Sequence, residues 1–342
     1  MTRTLAVRLD SLGDVLVTGP AIRALAAASE HVTLLAGPRG LAAAALLPGV
    51  DELLCWQAPW IDPDPEPVRP ELLEEVRVTV AERGFDRAVV FTSFHQSPLP
   101  TALLLRLAGV PWIGAISEDY PGSLLDLRHR LPEDLPEPER ALGLAAASGA
   151  RLPAEDDGRL AIRADVTGDL PADLEPPYVV LHPGTSVPAR AWPPEAFRRT
   201  CELLLAEGYR VVVTGAPSER ELTAYVAGSS AAHDLGGRTD FAGLAAVLAQ
   251  AQVMVVGNTG PAHLAAAVGT PIVSLFAPTV PAVRWAPYGV PRVLLGEQRA
   301  ACRDSRATTC PVPGHPCLAS VTAETVLSAV RTWCTAPVRG CT

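Results

Sequence analysis

The chain of 342 residues is long enough for two domains of ordinary size, each with its own core. Hydrophobic residues make up 48% of it, which excludes a disordered chain, and a net charge of −9 leaves no basic footprint for nucleic acid as the main partner. Met1-Thr2-Arg3 passes straight into a strand-like segment and no apolar run reaches membrane-spanning length, so the sequence predicts a cytoplasmic protein without a secretory signal or transmembrane segment.

Residues 5–9 read as a first strand. The turn Asp10-Ser11-Leu12-Gly13-Asp14 leads into a helix that continues to about residue 28, with a break or kink at Gly19-Pro20. Asp14 stands where that helix begins. Its carboxylate either caps free N–H groups or faces the carboxyl end of the strand, where open α/β sheets take their ligands. A strand at 31–36, a helix at 39–47 and a strand at 52–56 keep up the alternation, and 59–70 is a proline-rich, acidic, exposed loop. A helix at 71–83 precedes a buried strand at 88–91. Thr92-Ser93-Phe94-His95-Gln96-Ser97 then puts polar side chains directly after a strand end, a place for an acceptor or simply for a hydrophilic loop. A helix at 99–107 and a strand at 112–116 follow. Residues 118–138 read as irregular, with Arg128, His129 and Arg130 a small solvated basic point, and 139–148 is a helix. A shift in composition over 149–177, with one strand at 160–163, marks the linker and divides the chain at 165/166.

The same grammar restarts with a strand at 178–181, the turn His182-Pro183-Gly184-Thr185-Ser186, a helix at 194–207, a strand at 210–214 and helices at 219–227 and 241–250. The run 253–256 is too short for a helix and rich in β-branched residues, so it reads as a buried parallel strand. It stops at Gly257. Asn258 and Thr259 can each cap a helix start, Pro261 suits the first helical position, and 262–268 are good helix formers before Gly269 and a second buried strand at 272–276. A short helix opening at such a turn aims free N–H groups and a positive dipole end at one point, which suits a phosphate. Asn258, Thr259, Gly260 and His263 converge there, which favours a site over an ordinary junction.

The chain has seven cysteines. Cys55 and Cys201 fall inside core elements, where a thiol behaves as a small hydrophobe. Cys302, Cys310, His315 and Cys317 share one loop and could hold zinc, but no Cys-x-x-Cys pair gives the usual knuckle, so no metal is assigned and a surface segment with reduced thiols or one disulfide is the favoured reading. Thr322 caps a last helix at 323–333, and Cys341 lies in a loose tail.

Three separated motifs, in order, carry a family resemblance. They are Arg8-Leu9-Asp10-Ser11-Leu12-Gly13-Asp14 with Pro20 following; Pro183-Gly184, Arg190 and Trp192-Pro193; and Asn258-Thr259-Gly260-Pro261-Ala262-His263. On them the chain resembles the ADP-heptose:lipopolysaccharide heptosyltransferase family, glycosyltransferase family nine. The resemblance implies an α/β fold of GT-B type, two facing Rossmann-like doubly wound domains with an interdomain cleft, residues 1–165 taking the acceptor and 166–342 the nucleotide sugar. It implies an inverting, metal-independent transfer of a heptose-like sugar from a nucleotide-diphosphate donor, ADP-heptose, to a glycan, lipid-linked or natural-product hydroxyl, without a cofactor, in the cytoplasm or at the inner face of the membrane.

Asp14 matches the family's general base. Thr185, Ser186, Arg190, Thr259, Gly260 and His263 match its leaving-group positions, and Glu219 falls where the family has a glutamate near the ribose or the sugar. Ser11, Gly13, Ser93, His95 and Gln96 are the acceptor-side candidates. Two positions depart from the family: Arg190 stands for a lysine, in a chain that has none, and Asn258 stands for an aspartate that contacts the donor sugar. A nucleotide-sugar 2-epimerase of the same architecture and a non-catalytic sugar-nucleotide-binding protein are the alternative readings.

Overall fold

The computed structural model describes residues 2–131, 134–166, 170–171 and 174–334. It divides into two compact units, Met1–Arg163 and Ala164–Thr342, each built on one six-stranded sheet.

The first unit runs β1 (Arg3–Arg8), α1 (Leu12–Ala27), β2 (His31–Ala36), α2 (Leu41–Ala44), β3 (Glu52–Cys55), α3 (Pro70–Ala81), β4 (Arg87–Val90), α4 (Leu99–Leu107), β5 (Ile113–Ile116), β6 (Leu127–His129) and α5 (Glu137–Ala147). Its strands pair in parallel in the order β3-β2-β1-β4-β5-β6. Leu5 and Val7 of β1 pack with Val76 and Val80 of α3 and Leu104 of α4, the helix-covered burial that parallel strands require.

The second unit runs β7 (Tyr178–His182), α6 (Pro194–Ala206), β8 (Val211–Val213), α7 (Arg220–Ala227), β9 (His233–Asp234), α8 (Phe241–Ala249), β10 (Ala251–Gly257), α9 (Gly260–Ala267), β11 (Ile272–Leu275), α10 (Ala282–Trp285), β12 (Arg292–Leu295), α11 (Pro316–Ala319) and α12 (Ala323–Arg331). The order is β12-β11-β10-β7-β8-β9, again all parallel. Both sheets therefore have one doubly wound topology, reversing direction between the first and fourth strands of the unit: β1 and β4, then β7 and β10. Beyond the carboxyl ends of those two strands is where such sheets bind ligands.

Several elements differ from the sequence reading. α1 runs through Pro20 without a break. The lost backbone bond costs about 3 kcal/mol, and burial of nearly every residue from Gly13 to Leu25 outweighs it. β6 and β9 are edge strands of three and two residues, too short to show an alternation. Arg128, expected in solvent, donates to the carbonyl oxygens of Ser117 and Glu118 and ties β6 to the loop after β5. Residues 160–163 form no strand; the Arg163 N–H donates to Leu46 O at 2.8 Å.

Cys55 is exposed, not in the core, because β3 is an edge strand, whereas Cys201 is buried. Cys302 and Cys317, expected at the surface, are buried in the second unit's core with Leu318 and Val326. That burial pushes the Cys317 thiol up to about 11. Every cysteine among the described residues is a free thiol, and Cys341 lies outside them. Among the described residues no helix is long and apolar enough to cross a membrane.

Candidate active site

β1 ends on Arg8, whose side chain is only 2% exposed, so its charge has to be matched by neighbours. α1 begins at Leu12, which makes Asp14 its third residue. One carboxylate oxygen of Asp14 accepts from the Ser11 backbone N–H (3.3 Å) and hydroxyl (2.6 Å). The other meets Arg8 Nη2 at 3.1 Å and the Ser93 hydroxyl at 3.4 Å. The two roles that the sequence left open for Asp14 are thus held together: it caps α1 and it belongs to a charged cluster at the strand ends.

The cluster extends across the first switch point. Arg8 Nη2 donates to Ser93 Oγ (3.0 Å), and Arg8 Nε lies 3.0 Å from Asp10. Gln96 donates to Asp10 (2.5 Å) while its carbonyl oxygen accepts from the Ser93 N–H (2.9 Å). Burial works against the Arg8 charge, yet Asp10, Asp14 and Glu137 outweigh it and raise its pKa. Burial pushes Asp10 up to about 6, against the pull of Arg8. His95, by contrast, is exposed, its ring edge-on to Phe94 with centroids 5.4 Å apart. Gly13 is buried in the first turn of α1. Sequence reasoning missed Arg8 and Asp10 as members of the cluster, and Gly37 and Gly40 as its support. A Cβ at Gly37 would lie 2.2 Å from Leu9 O and one at Gly40 2.8 Å from Asp10 O, so both glycines let the segment after β2 press against this turn.

The second switch point is built on β7 and β10. β7 ends on His182, buried and bonded through Nδ1 to Thr214 Oγ1 at 2.9 Å. Burial lowers its pKa to about 4, so the ring is neutral near pH 7. In the turn that follows, Thr185 Oγ1 accepts from the Val187 N–H (3.3 Å) and Ser186 is exposed. Glu219 folds back over this turn. Its carboxylate accepts from the Ala216 N–H at 2.7 Å and would lie 2.1–2.2 Å from a Cβ at Gly184, so any larger residue there would displace it.

Arg190 comes together with the end of β10: its Nη1 lies 3.5 Å from Asn258 O, and a Cβ on Gly257 would be 3.3 Å from Arg190 O. Asn258 is 6% exposed, and neither its amide nitrogen nor its amide oxygen has a hydrogen-bond partner. Thr259, the cap residue of α9, makes no side-chain cap bond, and His263 is buried in the first turn of that helix. A helix start of this kind presents free N–H donors to an anion.

The cysteine-bearing loop supports this site from behind. Thr308 O accepts from the Ala189 N–H (2.9 Å), and His315 Nε2 lies 3.1 Å from Ala189 O, which fixes the turn that carries Arg190. The Arg306 N–H bonds Thr279 O at 2.8 Å. Thr279, in the turn that follows the neighbouring strand β11, is itself 1% exposed with an unpartnered hydroxyl, a feature that nothing in the sequence pattern signals. Among the described residues no three His, Cys, Asp or Glu side chains gather into a group that could hold a metal ion.

The family model for glycosyltransferase family 9 (heptosyltransferase) matches residues 76–314. Lipopolysaccharide heptosyltransferase 1 of Escherichia coli K12 is 27% identical over 292 residues, 82% of this chain and 89% of that protein. The enzyme of the same name from Pseudomonas aeruginosa is 38% identical over 128 residues, 36% of each chain. Among solved structures, E. coli heptosyltransferase WaaC with ADP-2-deoxy-2-fluoro heptose superposes with a TM-score of 0.74 at 24% identity, covering 97% of this chain and 99% of that one. At that identity the likeness shows the fold, which is of GT-B type.

Proposed function

The chain belongs to glycosyltransferase family 9 (heptosyltransferase), and we propose on that premise that it moves a heptose from ADP-heptose to a hydroxyl of a lipopolysaccharide core or a related envelope glycan. The relatives' names supply the acceptor class, and the E. coli structure with an ADP-heptose analogue supplies the donor class.

The observation that carries the reading is the second switch point, where a buried amide with both polar atoms unmatched stands beside an arginine and an uncapped helix start. The diphosphate sits on the α9 N–H groups and Arg190, with Thr185, Ser186, Thr259, Gly260 and His263 around it; Asn258 takes the sugar and Glu219 the ribose or the sugar. Asp14 takes the proton from the acceptor hydroxyl. The acceptor oxygen bonds the anomeric carbon as the bond from that carbon to the phosphate oxygen breaks, and the electron pair leaves with ADP. A direct displacement of this kind inverts the anomeric centre and needs no metal. Transfer takes place in the cytoplasm, at the inner face of the membrane where a lipid-linked acceptor lies.

A titration of the protein with ADP tests the site. Saturating ADP raises the melting temperature, as a ligand confined to the folded state must, and UDP or GDP raises it less. An equal response to all three, or none to ADP, contradicts the donor assignment.

A further inference from the structure

At the first switch point one buried cation serves two carboxylates, and the proposed chemistry uses only one of them. A carboxylate alone with a buried guanidinium at 3.1 Å is held ionised and makes a poor base, because the opposite charge removes its affinity for a proton. A general base works best when that affinity lies near the operating pH. Asp10 supplies the opposing charge: it meets the same guanidinium at 3.0 Å through Nε, while Asp14 meets Nη2.

The surrounding residues fix this sharing. Gln96 bridges Asp10 to the Ser93 backbone, and the Ser93 hydroxyl stands between Arg8 and Asp14. The charged groups facing Asp10 are Arg8 from β1, Asp14 from α1 and Glu137 from α5; Glu137 in turn pairs with the buried Arg140 at 3.5 Å, and the loop after β4 contributes the neutral Ser93 and Gln96. We propose that Asp10 is a positioning residue that sets the basicity of Asp14 by sharing Arg8 with it. The inference rests on Asp14 being the base. It is consistent with the raised pKa of Asp10, which leaves that carboxylate ionised at neutral pH.

The test follows ADP release from ADP-heptose with heptose-deficient lipopolysaccharide between about pH 5 and pH 9. In Asp10→Asn the acid limb of kcat/KM moves about one pH unit lower, because Asp14 no longer shares Arg8 with Asp10, and the plateau drops several-fold as the base weakens. Asp10→Glu keeps the charge and returns the limb toward its original position. Asp10→Ser, which retains a partner for Gln96, replaces Asp10→Asn if that variant does not fold. An unmoved acid limb in Asp10→Asn, with Asp14→Asn inactive, overturns this inference and leaves the proposed function standing. Full activity in Asp14→Asn overturns both.

Discussion

The two switch points share one strand topology and differ in how their polar groups are matched. At the first, Arg8, Asp10, Asp14, Ser93 and Gln96 pair with one another through hydrogen bonds and ion pairs, Arg8 Nε meeting Asp10 at ion-pair distance without a hydrogen bond. At the second, Asn258 and Thr279 are buried with unbonded polar atoms and α9 starts without a side-chain cap. A closed network holds an acid–base group in a fixed geometry before substrate arrives. An open one carries a penalty of roughly 1–3 kcal/mol for each unmatched polar group, which a polar ligand removes on binding. On the proposed reading, the first network is where the proton is transferred and the second is where the donor binds.

Breaking the closed network gives the largest effect. Asp14→Asn keeps the shape and the Ser11 contacts in reach but removes the base, and transfer falls by roughly 10²–10⁴-fold. ADP affinity, measured by calorimetry, stays within about twofold if the division of labour holds. Weakening the open network gives a smaller effect. Arg190→Ala lowers ADP affinity by roughly 10–100-fold, the usual range for a hydrogen bond to a charged group. Arg190→Lys recovers part of that, since the charge returns without the planar fork.

A third effect, on stability and not on turnover or binding, comes from His182. Its pKa is lowered from 6.5 to about 4 by burial, so between those values the unfolded chain binds the extra proton. Stability therefore falls as pH drops from about 6.5 towards 4, by up to about 3 kcal/mol. Asp10, with its pKa raised from 3.8 to about 6, runs the other way and favours the folded state at the acid end of the same window. Denaturant melts of the wild type and His182→Gln at pH 7 and pH 5 isolate the histidine, because the glutamine variant lacks its part of the fall.

Much of this was readable from the chain where one residue type had one physical use. The β-branched run before Gly257 is a buried central strand, and Thr322 caps the last helix through the N–H group of Thr325. What stayed hidden depends on tertiary neighbours. Pro20 reads as a breaker until α1 is seen buried nearly all round, and Cys55 reads as core until β3 turns out to be an edge. The turns carrying Asp14 and Asn258 were legible as strand-to-helix turns from their glycines and helix starts. Arg8 was not, because a strand-ending arginine is usually solvated, and only the fold brings Asp10, Ser93 and Gln96 around it.

The central claim is that the open switch point of the second unit is where the donor's diphosphate binds. A crystal structure of the protein with ADP tests it most directly. The account predicts phosphate oxygens within about 3 Å of the Arg190 guanidinium and of N–H groups in the first turn of α9, with the Asn258 amide beside them. A diphosphate bound instead among Arg8, Asp10 and Asp14, with Arg190 and α9 untouched, would contradict it.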